Sequence, residues 1–118
     1  MKTYDNFFLP VNDLAQAKDY YQNILELPLK FDFSDKGMVA FKVGEEEPAI
    51  ILKDINHFPE AKPTIWFVAE NVGEEYIRLK EKGVKFLGEP YEIGTGNAVE
   101  FEDAFGNRFG IADYIRRY

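Results

Sequence analysis

The side chains able to do chemistry in this sequence are few and unevenly spread. His57 is the single imidazole and cysteine is absent, so thiolate nucleophiles, disulfides and multi-histidine metal sites have no material to be built from. Carboxylates dominate: 21 acidic residues stand against 14 basic ones, a net charge of −7. Such a field repels phosphate, which speaks against nucleic acid and anionic membranes as partners and permits a cationic ligand. The other usable groups are aromatic, with 11 Phe, 7 Tyr and one Trp, Trp66. Most of them must fill the core, and some are available to line a pocket. The glycine-rich stretch Glu92–Gly96 lacks the Lys-Ser/Thr pair and the following helix of a phosphate loop, and it reads as a flexible lip.

The elements that must position these groups repeat once along the chain. Phe7–Val11 has the aromatic and branched residues of a strand, and Asp13 with Gln16 three positions on forms a capping-box pattern. Leu14, Ala17, Tyr21, Ile24 and Leu25 then follow helical spacing until Pro28. Leu29–Phe33, Met38–Val43 and Ala49–Leu52 read as three strands. In the second half Ile65–Val68 is a strand, Asn71 caps a helix with its apolar side at Val72, Tyr76 and Leu79, and Gly83 stops it. Val84–Leu87, Ala98–Phe101 and Arg108–Ala112 complete the set. Asn71 repeats Asp13 at an offset of 58 positions, and Thr64 repeats Asn6 at the same offset. Each half therefore reads β-α-β-β-β. Asn56–Pro63, with two prolines, reads as the linker between them. A half of this length buries too little surface to stand comfortably alone, whereas 118 residues suffice for one packed domain. No run reaches the ~20 apolar residues of a membrane span. The N-terminal Met1–Asp5 has no signal-peptide core, so the expected location is the cytoplasm.

This organisation resembles the vicinal oxygen chelate superfamily, also called the glyoxalase/bleomycin resistance/dioxygenase family. Two stretches carry the resemblance besides the repeat. FFLPVNDLAQAKDYYQNIL is similar to the family's strand, Val-x-Asp-Leu turn and helix ending near an aromatic-Tyr pair, here Tyr20-Tyr21. VEFEDAFGNRFGIAD is similar to its Asp-Pro-x-Gly-Asn hairpin and following strand. The likeness covers the whole chain, with a departure at Glu26, where the family usually has Gly. It implies an α+β fold: two βαβββ modules forming a curved mixed sheet around a central cup, helices on the outside. Module one would be residues 1–55, the linker 56–63 and module two 64–118.

Enzymes of the family hold a divalent metal in the cup through His, Glu or Gln. Carried over residue by residue, those ligand positions fall on Asn6, Ile51, Thr64 and Gly110. Asn6 and Thr64 offer neutral oxygens, Ile51 and Gly110 no side-chain donor, and a slip of one residue brings in only Asp5. The expectation is no bound metal and no other cofactor. Strand alternation sets the faces: Asn6, Phe8 and Pro10 toward the cup with Ile51, Thr64, Trp66 and Val68, and Arg108, Gly110 and Ala112 from the last strand. The expected ligand-binding set is Asn6, Phe8, Ile51, Thr64, Trp66, Arg108 and Gly110, with no catalytic residue. Structural roles compete for several of these: core packing for Trp66 and Phe8, an ion pair with Glu100 or Asp103 for Arg108, a rim position for His57. Asp13, Asn71 and Asp103 read as caps and turn formers, and the acidic runs Glu45–Glu47 and Glu74-Glu75 as solvated faces. The side on which Glu100 projects is left open by the pattern.

The function this favours is non-catalytic binding or sequestration of an aromatic or cationic small molecule. The alternative is a metal-dependent lyase or dioxygenase of the same superfamily with relocated ligands, drawing on Asn6, Thr64, His57 and an acidic side chain. The resemblance also implies a homodimer, side by side or module-swapped.

Overall fold

The computed structural model describes residues 1–115; residues 116–118 of the expected second module lie outside them. The chain divides into two compact units, one of Asn6–Pro63 and one of Met1–Asp5 together with the chain from Thr64 onward. The first five residues, expected in module one, thus pack with the second unit, and the expected linker packs with the first.

In the first unit, β1 (Thr3–Val11, entering from Met1–Asp5) leads to α1 (Leu14–Asp19), then β2 (Leu29–Phe33), β3 (Met38–Phe41) and β4 (Ile50–Asp54). The strand order is β2-β3-β4-β1. β1 and β4 run parallel, from Phe7 opposite Ile50 to Val11 opposite Asp54. The Asp13 carboxylate accepts the Gln16 N–H at 3.0 Å and so starts α1. The helical spacing read through to Leu25 continues as a π-helical turn, Tyr20–Ile24, in which the Leu25 N–H donates to the Tyr20 carbonyl. On the helix-facing side of the sheet, Leu14, Val39, Phe41 and Leu52 are buried, with Leu9, Val11, Ala17 and Tyr21 packed against them. Fully burying Phe41 or Leu52 contributes about 1.5–3 kcal/mol each. Leu29 lies opposite Phe41 but Phe31 lies opposite Ala40, a one-residue register shift. This bulge turns Phe31 to the other face of the sheet, where its ring stacks on Phe33 at 4.8 Å.

The second unit repeats the plan with β5 (Thr64–Val68), α2 (Val72–Glu81), β6 (Lys85–Phe86), β7 (Tyr91–Ile93), β8 (Gly96–Glu102) and β9 (Arg108–Ala112). The order β5-β9-β8-β6 is the same permutation, and β5 and β9 again form the parallel pair. Strand β7 differs from the sequence reading. Tyr91–Ile93 pairs antiparallel with Ala98–Gly96, so the stretch read as a lip is a hairpin whose turn is Gly94-Thr95. The flanking Tyr91 and Ile93 have strand propensity.

The Asn71 side chain caps α2 by accepting the Glu74 N–H at 3.0 Å. Aromatic residues form a continuous row through this unit: Tyr4 on Phe67, Phe67 on Phe109, Phe109 on Phe101, Phe101 on Phe86 and Phe86 on Tyr76, with centroids 4.7–5.8 Å apart. The N-terminal segment is tied in by the Lys2 N–H to the Val68 carbonyl at 2.7 Å and by the Tyr114 hydroxyl to Asp5. Among the described residues no helix is long and apolar enough to cross a membrane.

Candidate functional site

The sequence-selected residues fall in two sets, one per unit, each on the sheet face turned away from its helix. In the first unit Phe8 and Ile51 are cross-strand partners. They share an apolar cluster with Phe31, Met38, Ala40 and Ala49. Asn6 sits at the start of this face, and its Oδ1 accepts the Ala49 N–H at 3.0 Å. The Phe8 ring carries the chain's own cation: Lys53 Nζ stands 4.5 Å from its centroid and 4.6 Å from that of Phe58. Lys53 was not anticipated, although it follows Ile51 by two positions on β4 and so shares its face. His57 is in the turn after β4, half exposed, with Nδ1 3.7 Å from Asp54 Oδ2.

In the second unit the register places Thr64 opposite Arg108 and Trp66 opposite Gly110. Trp66 is 8% exposed and Thr64 6%. A Cβ added to Gly110 would lie 2.4 Å from Trp66 Cδ2 and 2.5 Å from Cε2 and Cε3, closer than carbon atoms can approach. The absent side chain at 110 is therefore the space in which the indole lies. Arg108 donates through Nη2 to Glu102 Oε2 at 3.1 Å. Its ion pair is with its direct cross-strand neighbour, rather than with Glu100 or Asp103. Asp103 is spent on its own turn, accepting the N–H groups of Phe105 and Asn107 at 2.8 and 3.0 Å.

Three further features, in the second unit, escaped the sequence reading. Glu100 pairs across the strands with Gly110, so it projects on the Trp66 face, while its neighbours Val99 and Phe101 enter the core under α2. The alternation Val99-Glu100-Phe101-Glu102 contained that signal. The Tyr91 hydroxyl donates to Glu100 Oε1 at 3.0 Å. Burial, then the adjacent Glu100 charge and that hydrogen bond, hold the Tyr91 phenol well above its ordinary range. The third is Asp113, 0% exposed, whose carboxylate accepts the N–H groups of Val72 at 2.8 Å, Asn97 at 2.9 Å and Ile115 at 3.3 Å. Glu75, read as part of a solvated face, is largely covered, with 14% of its side chain exposed, and holds Arg78 and the terminal ammonium.

Grooves lie elsewhere on the described residues. One of about 640 Å³ lies along α1 beside Pro10, Asp13, Tyr20 and Tyr21. One of about 670 Å³ lies beyond α2 between Lys82, Phe86 and Asp103. Neither is lined by any of the seven expected ligand residues.

The chain's residues 3–111 match the model of the Glyoxalase/Bleomycin resistance protein/Dioxygenase superfamily. The chain belongs to this superfamily. Among curated proteins it is similar to the uncharacterized protein YurT of Bacillus subtilis (strain 168), 39% identical over 66 residues, 56% of this chain and 52% of YurT. The matched segment thus spans about half the length of that relative. Among solved structures it is similar to a hypothetical protein from Bacillus halodurans C-125, with a TM-score of 0.75 at 18% identity over 98% of this chain and 96% of that one. It is also similar to methylmalonyl-CoA epimerase from Mycobacterium tuberculosis, with a TM-score of 0.73 at 16% identity over 97% and 89% of the two chains. At these identities the likeness is one of fold.

The family's metal implies a donor set that this chain's residues do not fit. Asn6 Oδ1 is already an acceptor for Ala49, Ile51 and Gly110 bring no donor atom, and the room at Gly110 is taken by Trp66. Divalent ions of this kind need several deprotonated oxygen or nitrogen ligands together. Among the described residues no three His, Cys, Asp or Glu side chains come together.

Proposed function

We propose that this protein is a non-catalytic member of its superfamily that binds or sequesters an aromatic or cationic small molecule, without a divalent metal or other cofactor. The ligand-facing set is Asn6, Phe8 and Ile51 in the first unit and Thr64, Trp66, Arg108 and Gly110 in the second. The reading places it in the cytoplasm as a homodimer, with neither nucleic acid nor membrane as a partner. One observation carries it: the indole of Trp66 fills the place where a metal-binding carboxylate at position 110 would project. An apolar and aromatic surface with few polar points is the composition of small-molecule sites.

Trp66 is the single tryptophan, so its emission reports on its own surroundings. Titration with a panel of planar aromatic compounds should shift that emission and raise the melting temperature. Ni, Zn, Mn, Fe and Co salts should do neither. Stoichiometric metal in protein purified without chelator would overturn the reading in favour of the lyase or dioxygenase alternative. Installing the missing carboxylate, Gly110→Glu, should destabilise by about 1–3 kcal/mol through overpacking, and should confer no metal-dependent rise in melting temperature. Light scattering should give twice the 13.7 kDa chain mass.

A further inference from the structure

We infer that Glu100, held by Tyr91 on the Trp66 face, is the seat for the cationic group of the ligand, so that the compound taken is an aromatic ammonium ion. This rests on the proposed binding function and narrows it. The row running across β8, β9 and β5 reads Glu100, Gly110, Trp66. Because position 110 has no side chain, what stands next to Glu100 along that row is the indole lying over Gly110. The Tyr91 hydroxyl donates to Oε1 from the other side at 3.0 Å. The carboxylate is thus held by one aromatic residue and shares its row with another, a setting that suits an alkylammonium group.

The neighbouring charges leave Glu100 this role. The guanidinium of Arg108 pairs with Glu102, and among the described residues no ammonium or guanidinium pairs with Glu100. A bound cation would supply the opposite charge at this carboxylate. The Tyr91 bond fixes the carboxylate's rotamer before a ligand arrives, which lowers the ordering cost of binding. The chain's net charge of −7 raises the local concentration of cations around it. The Phe8 surface of the first unit, by contrast, already faces the ammonium of Lys53 and is ill suited to hold a second cation.

The test uses phenyltrimethylammonium and its neutral isostere tert-butylbenzene, with Trp66 emission and melting temperature as readouts. Wild-type protein should bind the cation at least tenfold more tightly than the isostere. Glu100→Gln, which keeps the side chain's shape, should lose about tenfold in affinity for the cation and leave that for tert-butylbenzene unchanged. Tyr91→Phe should lose about threefold for the cation only. Equal affinity of wild type and Glu100→Gln for phenyltrimethylammonium would overturn the inference. If the isostere binds as well as the cation, the inference falls while the binding function stands. If neither probe binds, both fall.

Discussion

Glu26 illustrates how a single residue carries information at more than one level. Its φ is 59°, in the left-handed region, where a side chain costs about 1–2 kcal/mol relative to glycine. It lies two residues past the π-helical turn, the place where helices commonly end on a left-handed glycine. The sequence marked it as a departure from the family pattern, and the backbone supplies the reason glycine is usual there. Glu26→Gly should therefore raise stability by roughly 0.5–1 kcal/mol after the glycine's greater unfolded-state freedom is allowed for. An increase in the urea midpoint at constant m would show it, and an unchanged midpoint would refute it. Gly110 and Trp66 were both legible as unusual residues. That one makes room for the other was not, because 44 positions separate them and only the parallel register of β5 on β9 brings them together.

At the scale of elements, Asp113 ties three pieces of the second unit to one another. It follows β9, and its carboxylate receives N–H groups from the start of α2, from β8 and from the chain just beyond it. The approach is close: a Cβ on Gly96 would lie 2.6 Å from Asp113 Oδ1. Asp113→Asn replaces one acceptor oxygen with a donor and leaves a buried N–H facing another N–H. The expected cost is about 2–3 kcal/mol, with hydrogen-exchange protection falling first at Val72 and Asn97. Uniform loss of protection across the unit would argue against a local clasp. In the sequence an aspartate after Gly-Ile-Ala is indistinguishable from a solvent-exposed strand end, since its partners lie 16 and 41 residues away. The caps at Asp13 and Asn71 were legible because their partners lie three residues on. Strand β7 was missed because its glycines were counted as a loop, when their hairpin role depends on the partner strand.

For the molecule as a whole, the carboxylates that are hydrogen-bonded or paired in the folded state set its behaviour in acid. The hydrogen bond from Lys18, then those from Ser34, lower the Asp32 carboxyl to about 2 from 3.8. Asp54 is lowered through the Asn56 backbone and Asp103 through the Asn107 side chain. At Glu75 burial opposes ionisation, but the bonds from Arg78 and the terminal ammonium outweigh it and hold the carboxyl below its ordinary value. Each folded-state value is depressed, so each group contributes stability that is fully present above its unfolded value and is lost as pH falls through the folded one. For Asp32 that window runs from 3.8 down to about 2. The melting temperature should fall with pH across it, and Asp32→Asn should flatten the fall. A variant with the wild-type slope would show that the Lys18 pairing adds nothing to acid stability. The repeat and the helix caps were determined by the sequence itself, because periodicity and turn chemistry act over a few positions. The tertiary structure alone decided which residues share a face and what they touch there. It set the indole over Gly110, Glu100 beside that gap, Arg108 on Glu102 and Lys53 on Phe8. Strand register and bulges place such partners, and they are fixed by packing between segments far apart in the chain.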